Sequence, residues 1–295
     1  MTHTSISTVP TAAGAGRFTF PRTTISVNRM GYGAMQLAGP NAFGPPADPD
    51  AARAVLRAAV ALGVDHIDTS DYYGPRTTND LIREALHPYP THLTIVSKLG
   101  AWRDAAKGWN LERSADFLRK SAEAELARLQ IDRIPIANLR MGGPDDDVAG
   151  PMQTMRQLQE EGLIGHIGIS TVTMAQLQTA RAIAPIVCVQ NHYNLVHRTD
   201  DAIIDMLAGE GIAYVPYFPL GGFAPLQSAA LRKVAADFGQ SVQSLALAWL
   251  LQRSPNILLI PGTSSIAHLR SNVAVAGLRL QDDALVTLNR LVDIA

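Results

Sequence analysis

A chain of 295 residues with 47% hydrophobic content is long enough to bury one large core or two ordinary ones. Its formal net charge of −1, with the basic residues scattered singly, gives no electrostatic footing for nucleic acid or an anionic membrane. Asp, Arg, Gln and Pro interrupt every hydrophobic run before it reaches the roughly eighteen apolar residues of a membrane span, and the single cysteine, Cys188, excludes an internal disulfide.

Residues 1–16 are rich in Thr, Ser, Ala and Gly and have no basic start followed by an apolar block, which predicts a disordered tail and a cytoplasmic protein. Residues 18–27 alternate like a hairpin. Residues 29–36 read as a buried strand in which Gly31 and Gly33 permit close packing. Residues 49–62 carry Ala, Val and Leu at helical spacing behind Asp48 or Asp50 as the cap. The stretch from Gly63 to Gly74 follows: a short apolar run that ends in acid, hydroxyl and phenol side chains and is stopped by Gly74-Pro75. It reads either as a strand feeding a reactive loop or as a connection whose Asp and Ser cap the next helix.

Thr78-Asn79-Asp80 is expected to cap a helix running to Leu86, and residues 93–99 form a third strand. Residues 113–129 are amphipathic through Leu118, Ala122, Leu126 and Leu129, with a fourth strand at 131–139. Helices at 152–161, 174–182, 200–209 and 241–253 then alternate with strands at 164–170, 186–190, 212–217 and 257–260. Cys188 in Ile-Val-Cys-Val suits a small core residue.

Eight strands alternating with helices predict a (β/α)8 TIM barrel of α/β class, with an N-terminal β-hairpin and extra C-terminal helices, as one domain over residues 17–295. No G-x-G-x-x-G follows any strand, which argues against a doubly wound sheet. Barrel chemistry sits at the C-terminal strand ends. Those ends are polar here: Met35 and Gln36, Asp68, Lys98, Asn138 to Arg140, Ser170, Gln190, Tyr217, and Pro261 to Ser265. Each has an ordinary role open to it, Lys98 as a solvated strand end or Tyr217 as a core aromatic, but together they point to one rim.

These residues resemble the aldo-keto reductase family from about Phe18 onward. Ile67-Asp-Thr-Ser-Asp-Tyr-Tyr-Gly74 is similar to its first signature, which implies Asp68 and Tyr73 as catalytic residues, and Val96-Ser-Lys98 to the strand bearing the catalytic lysine. The resemblance further implies a nicotinamide site. Ile167-Gly-Ile-Ser-Thr171 matches the strand end with Ser170 and, where Asn is usual, Thr171; Gln190 would hold the nicotinamide amide, with Met35 nearby. Tyr217 would stack on the ring, with Phe218, Pro219, Leu220 and Gly222 leading to the diphosphate. Gly262, Thr263, Ser264, His268 and Asn272 would carry the adenosine phosphate.

Arg140 stands at the position of the family's catalytic histidine, and His268 where an arginine for the 2′-phosphate is frequent, with Ser271 where an acid is common. NADPH is expected ahead of NADH, and no metal, since no His-x-His or carboxylate cluster has ligand spacing. Within the family the chain is most similar to the bacterial pyridoxal reductase branch, through Gly31-Tyr-Gly-Ala-Met-Gln-Leu-Ala-Gly39, Asn138-Leu-Arg140 and Tyr217-Phe-Pro-Leu-Gly-Gly-Phe223. That implies reduction of pyridoxal to pyridoxine. The alternatives are a reductase for another aldehyde or ketone and a non-catalytic nicotinamide-binding regulatory subunit. The oligomeric state has no signal in the sequence.

Carbonyl reduction needs a hydride beside the carbon and a proton donor beside the oxygen. The resemblance gives the proton to Tyr73, with Lys98 as the cation expected to lower its pKa and Asp68 holding Lys98 charged. A guanidinium stays protonated, so Arg140 would stabilise developing alkoxide charge or orient the substrate. Tyr72, Trp102, Trp109 and Phe223 are the expected substrate walls.

Overall fold

The structure is a computed structural model that describes residues 10–222 and 229–291. A curled parallel sheet runs through β3 (Tyr32–Gly33), β4 (His66–Asp68), β5 (Thr94–Leu99), β8 (Ile134–Arg140), β9 (Ile164–Ser170), β10 (Ile186–Gln190) and β11 (Ala213–Tyr214), hydrogen-bonded in that order. The last barrel strand is a run of two parallel bridges, Ile257 to Tyr214 and Leu259 to Met30, which joins the sheet's two edges. Gly31 N–H donates to Leu259 O at 2.8 Å and Leu259 N–H returns the bond to Arg29 O at 2.8 Å, so the barrel is closed. Among the described residues, closure leaves the barrel sheet itself without an open edge.

The helices α1 (Pro49–Ala61), α2 (Thr77–Leu86), α3 (Ala115–Leu129), α4 (Ala149–Glu160), α5 (Met174–Ile183), α6 (Asp201–Gly209) and α8 (Val242–Arg253) follow the strands in turn, with α7 (Ala229–Asp237) ahead of α8. The helix α9 (Ile266–Ala274) follows the last strand, and α10 (Asp282–Asn289) is the C-terminal addition. One apolar core lies between sheet and helices; a smaller one inside the barrel includes Val96, Ile136, Val187, Cys188 and Leu258. Burial pushes the Cys188 thiol up to about 12, as befits an inert core side chain.

The hairpin β1 (Arg17–Thr19) and β2 (Ser26–Asn28) plugs the barrel floor: Phe20 and Val27 join the inner core, and Arg17 and the Asn28 amide both bind Asp65 at the start of β4. With the floor closed, chemistry is confined to the opposite mouth. Residues 10–16, assigned to the tail in the sequence reading, are packed instead. Ala12–Ala15 form a 3-10 turn with both terminal alanines buried, and Ala12 N–H donates to Leu62 O at 2.9 Å.

Several expected elements contract. The strand at 29–36 narrows to β3 and gives way to a 3-10 turn at Ala34–Leu37 that carries Met35 and Gln36. Here the backbones touch: a Cβ on Gly33 would lie 2.5 Å from Ile260 O, and one on Gly31 would strike the His66 ring at 2.1 Å. The strand at 212–217 is reduced to β11 and a bridge at Tyr217. Asp48, of the two candidates, caps α1 by accepting from Ala51 N–H at 2.9 Å. Thr78-Asn79-Asp80 does not cap α2, which starts at Thr77 behind Arg76, a residue at φ 73° making no side-chain cap bond. Thr78 and Asn79 are fully buried instead. A second hairpin, β6 (Ala101–Arg103) and β7 (Trp109–Leu111), rises from the loop after β5.

Candidate active site

Asp68 ends β4 and Lys98 lies near the end of the adjacent β5, so parallel pairing alone brings a carboxylate and an ammonium together at the mouth. Only 3% of Asp68 and 5% of Lys98 is exposed, and the two form a direct ion pair. At about 4 Å and an effective dielectric of about 20, such charges attract by roughly 4 kcal/mol. Lys98 also donates to Thr69 O at 3.2 Å. Gln190, from β10, donates to the other Asp68 oxygen at 2.8 Å. Its own Oε1 is buried without a partner, an acceptor facing a site that needs a donor.

Tyr73 lies on the loop after β4, 7% exposed. Burial raises its hydroxyl well above 10, and the Asp68 charge adds to the rise; Arg140 pulls it back down. Lys98 stands over the face of the Tyr73 ring, 5.1 Å from its centroid, with its charge committed to Asp68. A cation that favours a tyrosinate here is Arg140. It ends β8 beside Ser170 of β9, and its guanidinium lies 5.7 Å from the Tyr217 ring centroid. Arg113 and Arg128 are held by Asp146 and Asp71, whereas no carboxylate among the described residues pairs with Arg140. Its charge is available to the cavity.

That cavity has a volume of about 510 Å³. Asp68, Tyr73, Lys98 and Arg140 line it together, as do Met35, Ser170, Gln190 and Tyr217. Phe218, Pro219, Leu220, Gly222 and Gly262 continue the wall. Thr171 stands just outside, its hydroxyl 3.4 Å from the Tyr217 hydroxyl. Its φ of 62° is strained for a β-branched residue, which accounts for the Asn usual at this position. Beyond Gly262 the chain leads away to α9: Thr263 and Asn272 are buried, Ser264 and His268 exposed. Arg270, exposed two residues past His268, is a cation that the sequence reading passed over. His192 stacks on Tyr217 at 5.6 Å and 10°, a support for the ring that was not foreseen. Among the described residues no group of His, Cys, Asp and Glu could hold a metal ion.

Of the expected substrate walls, Tyr72 packs edge-on to Tyr73 at 5.1 Å and to Trp109 at 5.9 Å, and both Tyr72 and Trp109 line the cavity. Trp102 does not. In the β6–β7 register Trp109 pairs with Arg103 while Trp102 pairs with Asn110. Phe223 falls outside the described residues. Arg103 fixes the hairpin: its guanidinium stacks 3.8 Å from the Trp109 centroid and donates to the carbonyls of Asn41, Ala42, Lys107 and Gly108. Trp109→Ala is therefore expected to raise KM for an aromatic aldehyde about 10-fold, the loss of one stacked ring, while Trp102→Ala leaves it within about twofold. Steady-state kinetics of the two variants decide; equal effects would contradict this wall.

Sequence reasoning also missed Glu125. It is 1% exposed on α3, accepting from Asp71 N–H at 2.7 Å, the Ser97 hydroxyl at 2.6 Å and the Asn79 amide at 2.7 Å. The signal was present: Leu118, Ala122, Glu125 and Leu129 are spaced four, three and four apart, and all four are buried. An acid in that stripe faces the core.

An ion pair, a buried phenol and an unpaired guanidinium around one barrel-mouth cavity form a site for polarising and protonating a carbonyl oxygen. Residues 29–293 match the profile of the Aldo/keto reductase family. The chain is 54% identical over 277 residues to an Escherichia coli (strain K12) protein named pyridoxine 4-dehydrogenase, covering 92% of this chain and 97% of that one. It is 35% identical to the uncharacterized oxidoreductase C215.11c of Schizosaccharomyces pombe, over 98% and 94% of the two chains. Among solved structures, the thermostable aldo-keto reductase Tm1743, crystallised with the inhibitor epalrestat, superposes with a TM-score of 0.79 at 27% identity, covering 93% of this chain and 99% of that one. Family profile, relatives and barrel-mouth geometry agree: this chain belongs to the Aldo/keto reductase family and is an oxidoreductase acting on an alcohol or carbonyl group.

Proposed function

We propose that the protein reduces pyridoxal to pyridoxine with NADPH, Tyr73 acting as the proton donor. The observation that carries the reading is the placement of a phenol that keeps its proton beside an unpaired guanidinium, over the Asp68–Lys98 pair in one cavity. The substrate is taken from the 54% identical relative named pyridoxine 4-dehydrogenase.

The residues fit a nicotinamide cofactor. The partnerless Gln190 Oε1 suits a carboxamide N–H, and Tyr217, backed by His192, offers a ring for stacking. Gly262 lines the cavity where a diphosphate would pass, and because a Cβ there would lie 2.7 Å from Gly33 O, glycine lets that stretch pack against β3. His268 and Arg270 on the exposed first turns of α9 suit a 2′-phosphate, which favours NADPH over NADH. When bound, the reduced nicotinamide supplies the hydride to the carbonyl carbon.

Tyr73 gives its phenol proton to the carbonyl oxygen as negative charge builds there, so the aldehyde gains one hydride and one proton and leaves as the alcohol. The tyrosinate, steadied by Arg140, recovers its proton from solvent. Lys98 and Asp68 hold the floor of the site without exchanging the proton. Tyr72 and Trp109 enclose the flat substrate ring.

Arg140 also supplies a reason for pyridoxal. An unpaired guanidinium within reach of the aldehyde can donate to the oxyanion of a neighbouring ring hydroxyl. Arg140→Leu is expected to lower kcat/KM for pyridoxal by about 10²-fold, and for a neutral aromatic aldehyde by about 10-fold, the difference being one charge-assisted hydrogen bond. NADPH oxidation followed with both aldehydes checks this. An equal loss on both would leave Arg140 with the alkoxide alone and remove its claim on the substrate.

A further inference from the structure

We propose that Glu125 is a positioning residue for the reduction: buried in the helix behind the β4–β5 seam, it holds the loop of Tyr73 against the strand of Lys98, and its protonation loosens that hold. The inference rests on the reductase reading above.

The geometry is a clasp. Glu125 Oε1 accepts from Asp71 N–H on the Tyr73 loop and from the Ser97 hydroxyl next to Lys98. Oε2 accepts from Asn79 at the start of α2, whose own Oδ1 accepts from the Thr69 hydroxyl at 2.7 Å. The loop is also tied to β5 directly, Ser70 donating to Lys98 O at 3.0 Å and Lys98 to Thr69 O. Tyr73 N–H donates to Ser70 O at 3.0 Å, so the phenol is carried by the turn that these bonds fix. Nothing else on α3 reaches between loop and strand in this way; Arg128, three residues on, grips Asp71 and Asp80 at the outer edge.

Three donors converge on one carboxylate. That arrangement matches the ionised form, which only accepts. A protonated Glu125 brings a fourth hydrogen into the cluster, and Ser97 or Asn79 must turn away to receive it. Two opposing influences decide where this occurs: the three hydrogen bonds favour the anion, while burial and the neighbouring Asp71 charge disfavour it more, pushing the carboxyl up to about 7. The change therefore falls at the working pH of the cell.

The charges around the cluster are accounted for. The loop brings Asp71, raised mainly by burial and offset by Arg128 and Arg76; β4 and β5 bring the Asp68–Lys98 pair and the Tyr73 phenol. From α2 comes Asp80, bound by Arg128. Among the described charges of α4, Arg156 and Glu160 pair with each other at the surface, Arg119 of α3 pairs with Glu161 on the exposed side, and β8 brings Arg140 at the cavity.

The test is kcat from pH 5.5 to 9 with NADPH and a neutral aromatic aldehyde, which has no ionisable group of its own, for the parent, Glu125→Gln and Glu125→Leu. The parent should lose about 3- to 10-fold as the pH falls through about 7. Glu125→Gln offers one acceptor oxygen and, with Asn79 turned over, an amide donor; it should keep at least about half of the high-pH rate and show no inflection. Glu125→Leu should lose about 10²-fold in kcat while NADPH binding, read from Trp quenching, stays within about threefold. An inflection that persists in Glu125→Gln, or a Glu125→Leu rate near the parent's, overturns the proposal.

A second readout does not depend on turnover. The Asp71 amide proton, bound to the carboxylate, should titrate near pH 7 in the parent's NMR spectrum and not in Glu125→Gln. Because the carboxyl is raised, the folded chain holds its proton longer than the unfolded one, so stability falls as pH rises from the ordinary carboxylate range through about 7. The parent's Tm should fall over this range more than that of Glu125→Gln. If no aldehyde is reduced at any pH, the reductase reading fails, and the Asp71 titration still decides whether Glu125 holds the loop. A flat Asp71 shift in an active parent overturns the clasp alone.

Discussion

Tyr73→Phe is expected to lower single-turnover reduction of an aldehyde by about 10²- to 10⁴-fold, which is roughly 3 to 5 kcal/mol of transition-state stabilisation. The change removes one oxygen from a ring held by Tyr72 at 5.1 Å and by Lys98 over its face, so the packing survives and the proton alone is lost. NADPH binding should stay within about threefold, since no bond to the cofactor is assigned to the phenol. The pH dependence adds a sign. Burial and Asp68 place the Tyr73 hydroxyl well above 10, so the donor stays protonated, and its alkaline fall-off in reduction should lie above pH 10. The reverse reaction needs the tyrosinate as base; oxidation of the alcohol should therefore rise with pH over the whole range below that limit. Stopped-flow traces at 340 nm, where the reduced but not the oxidised nicotinamide absorbs, check both. A Tyr73→Phe enzyme with rates near the parent's would show that another group donates the proton.

The barrel was legible because its central strands are buried on both faces. Residues of β5, β8 and β10 are almost all buried, and such strands read as continuous apolar runs whose polar ends stand out. That is why Asp68, Lys98 and Gln190 could be placed at one rim before any coordinates were known. The narrow elements were harder. β3 and the closing strand near Leu259 are held by close approach of Gly31 to the His66 ring and of Gly33 to the Ile260 carbonyl, and they are too short for a periodic signal. The β6–β7 hairpin has three residues a side, too few for alternation to announce that Trp109 faces the cavity and Trp102 does not.

Electrostatics were legible in kind but not in direction. The sequence reading already set Lys98 beside Tyr73 and Asp68; only the geometry shows Arg140 acting on the phenol as well. Glu125 shows the complementary limit. An acid on an amphipathic helix is ordinarily solvated, and its burial became visible when Leu118, Ala122 and Leu129 were seen to share its face.

Lys98→Met tests the other half of the site, and its effect on stability should be the largest of any single change here. The substitution keeps most of the side-chain volume but leaves Asp68, 3% exposed, as a buried charge whose remaining bond is the 2.8 Å contact from Gln190. Removing one partner of a buried pair costs about 3 to 5 kcal/mol, which lowers Tm by roughly 5 to 15 °C for a chain of this size. Turnover should fall by about 10²-fold or more, because the floor beneath Tyr73 is no longer held. Lys98→Met combined with Asp68→Asn separates the two effects. With neither charge present the buried cost is removed, and Gln190 still meets an amide oxygen, so most of the lost Tm should return. Turnover should not return with it, since the ammonium over the Tyr73 ring is still missing. Thermal unfolding and NADPH oxidation on the parent, the single and the double variant decide the matter. A single variant as stable as the parent would mean that water reaches Asp68, and a double variant that regains turnover would reduce the pair to a structural contact.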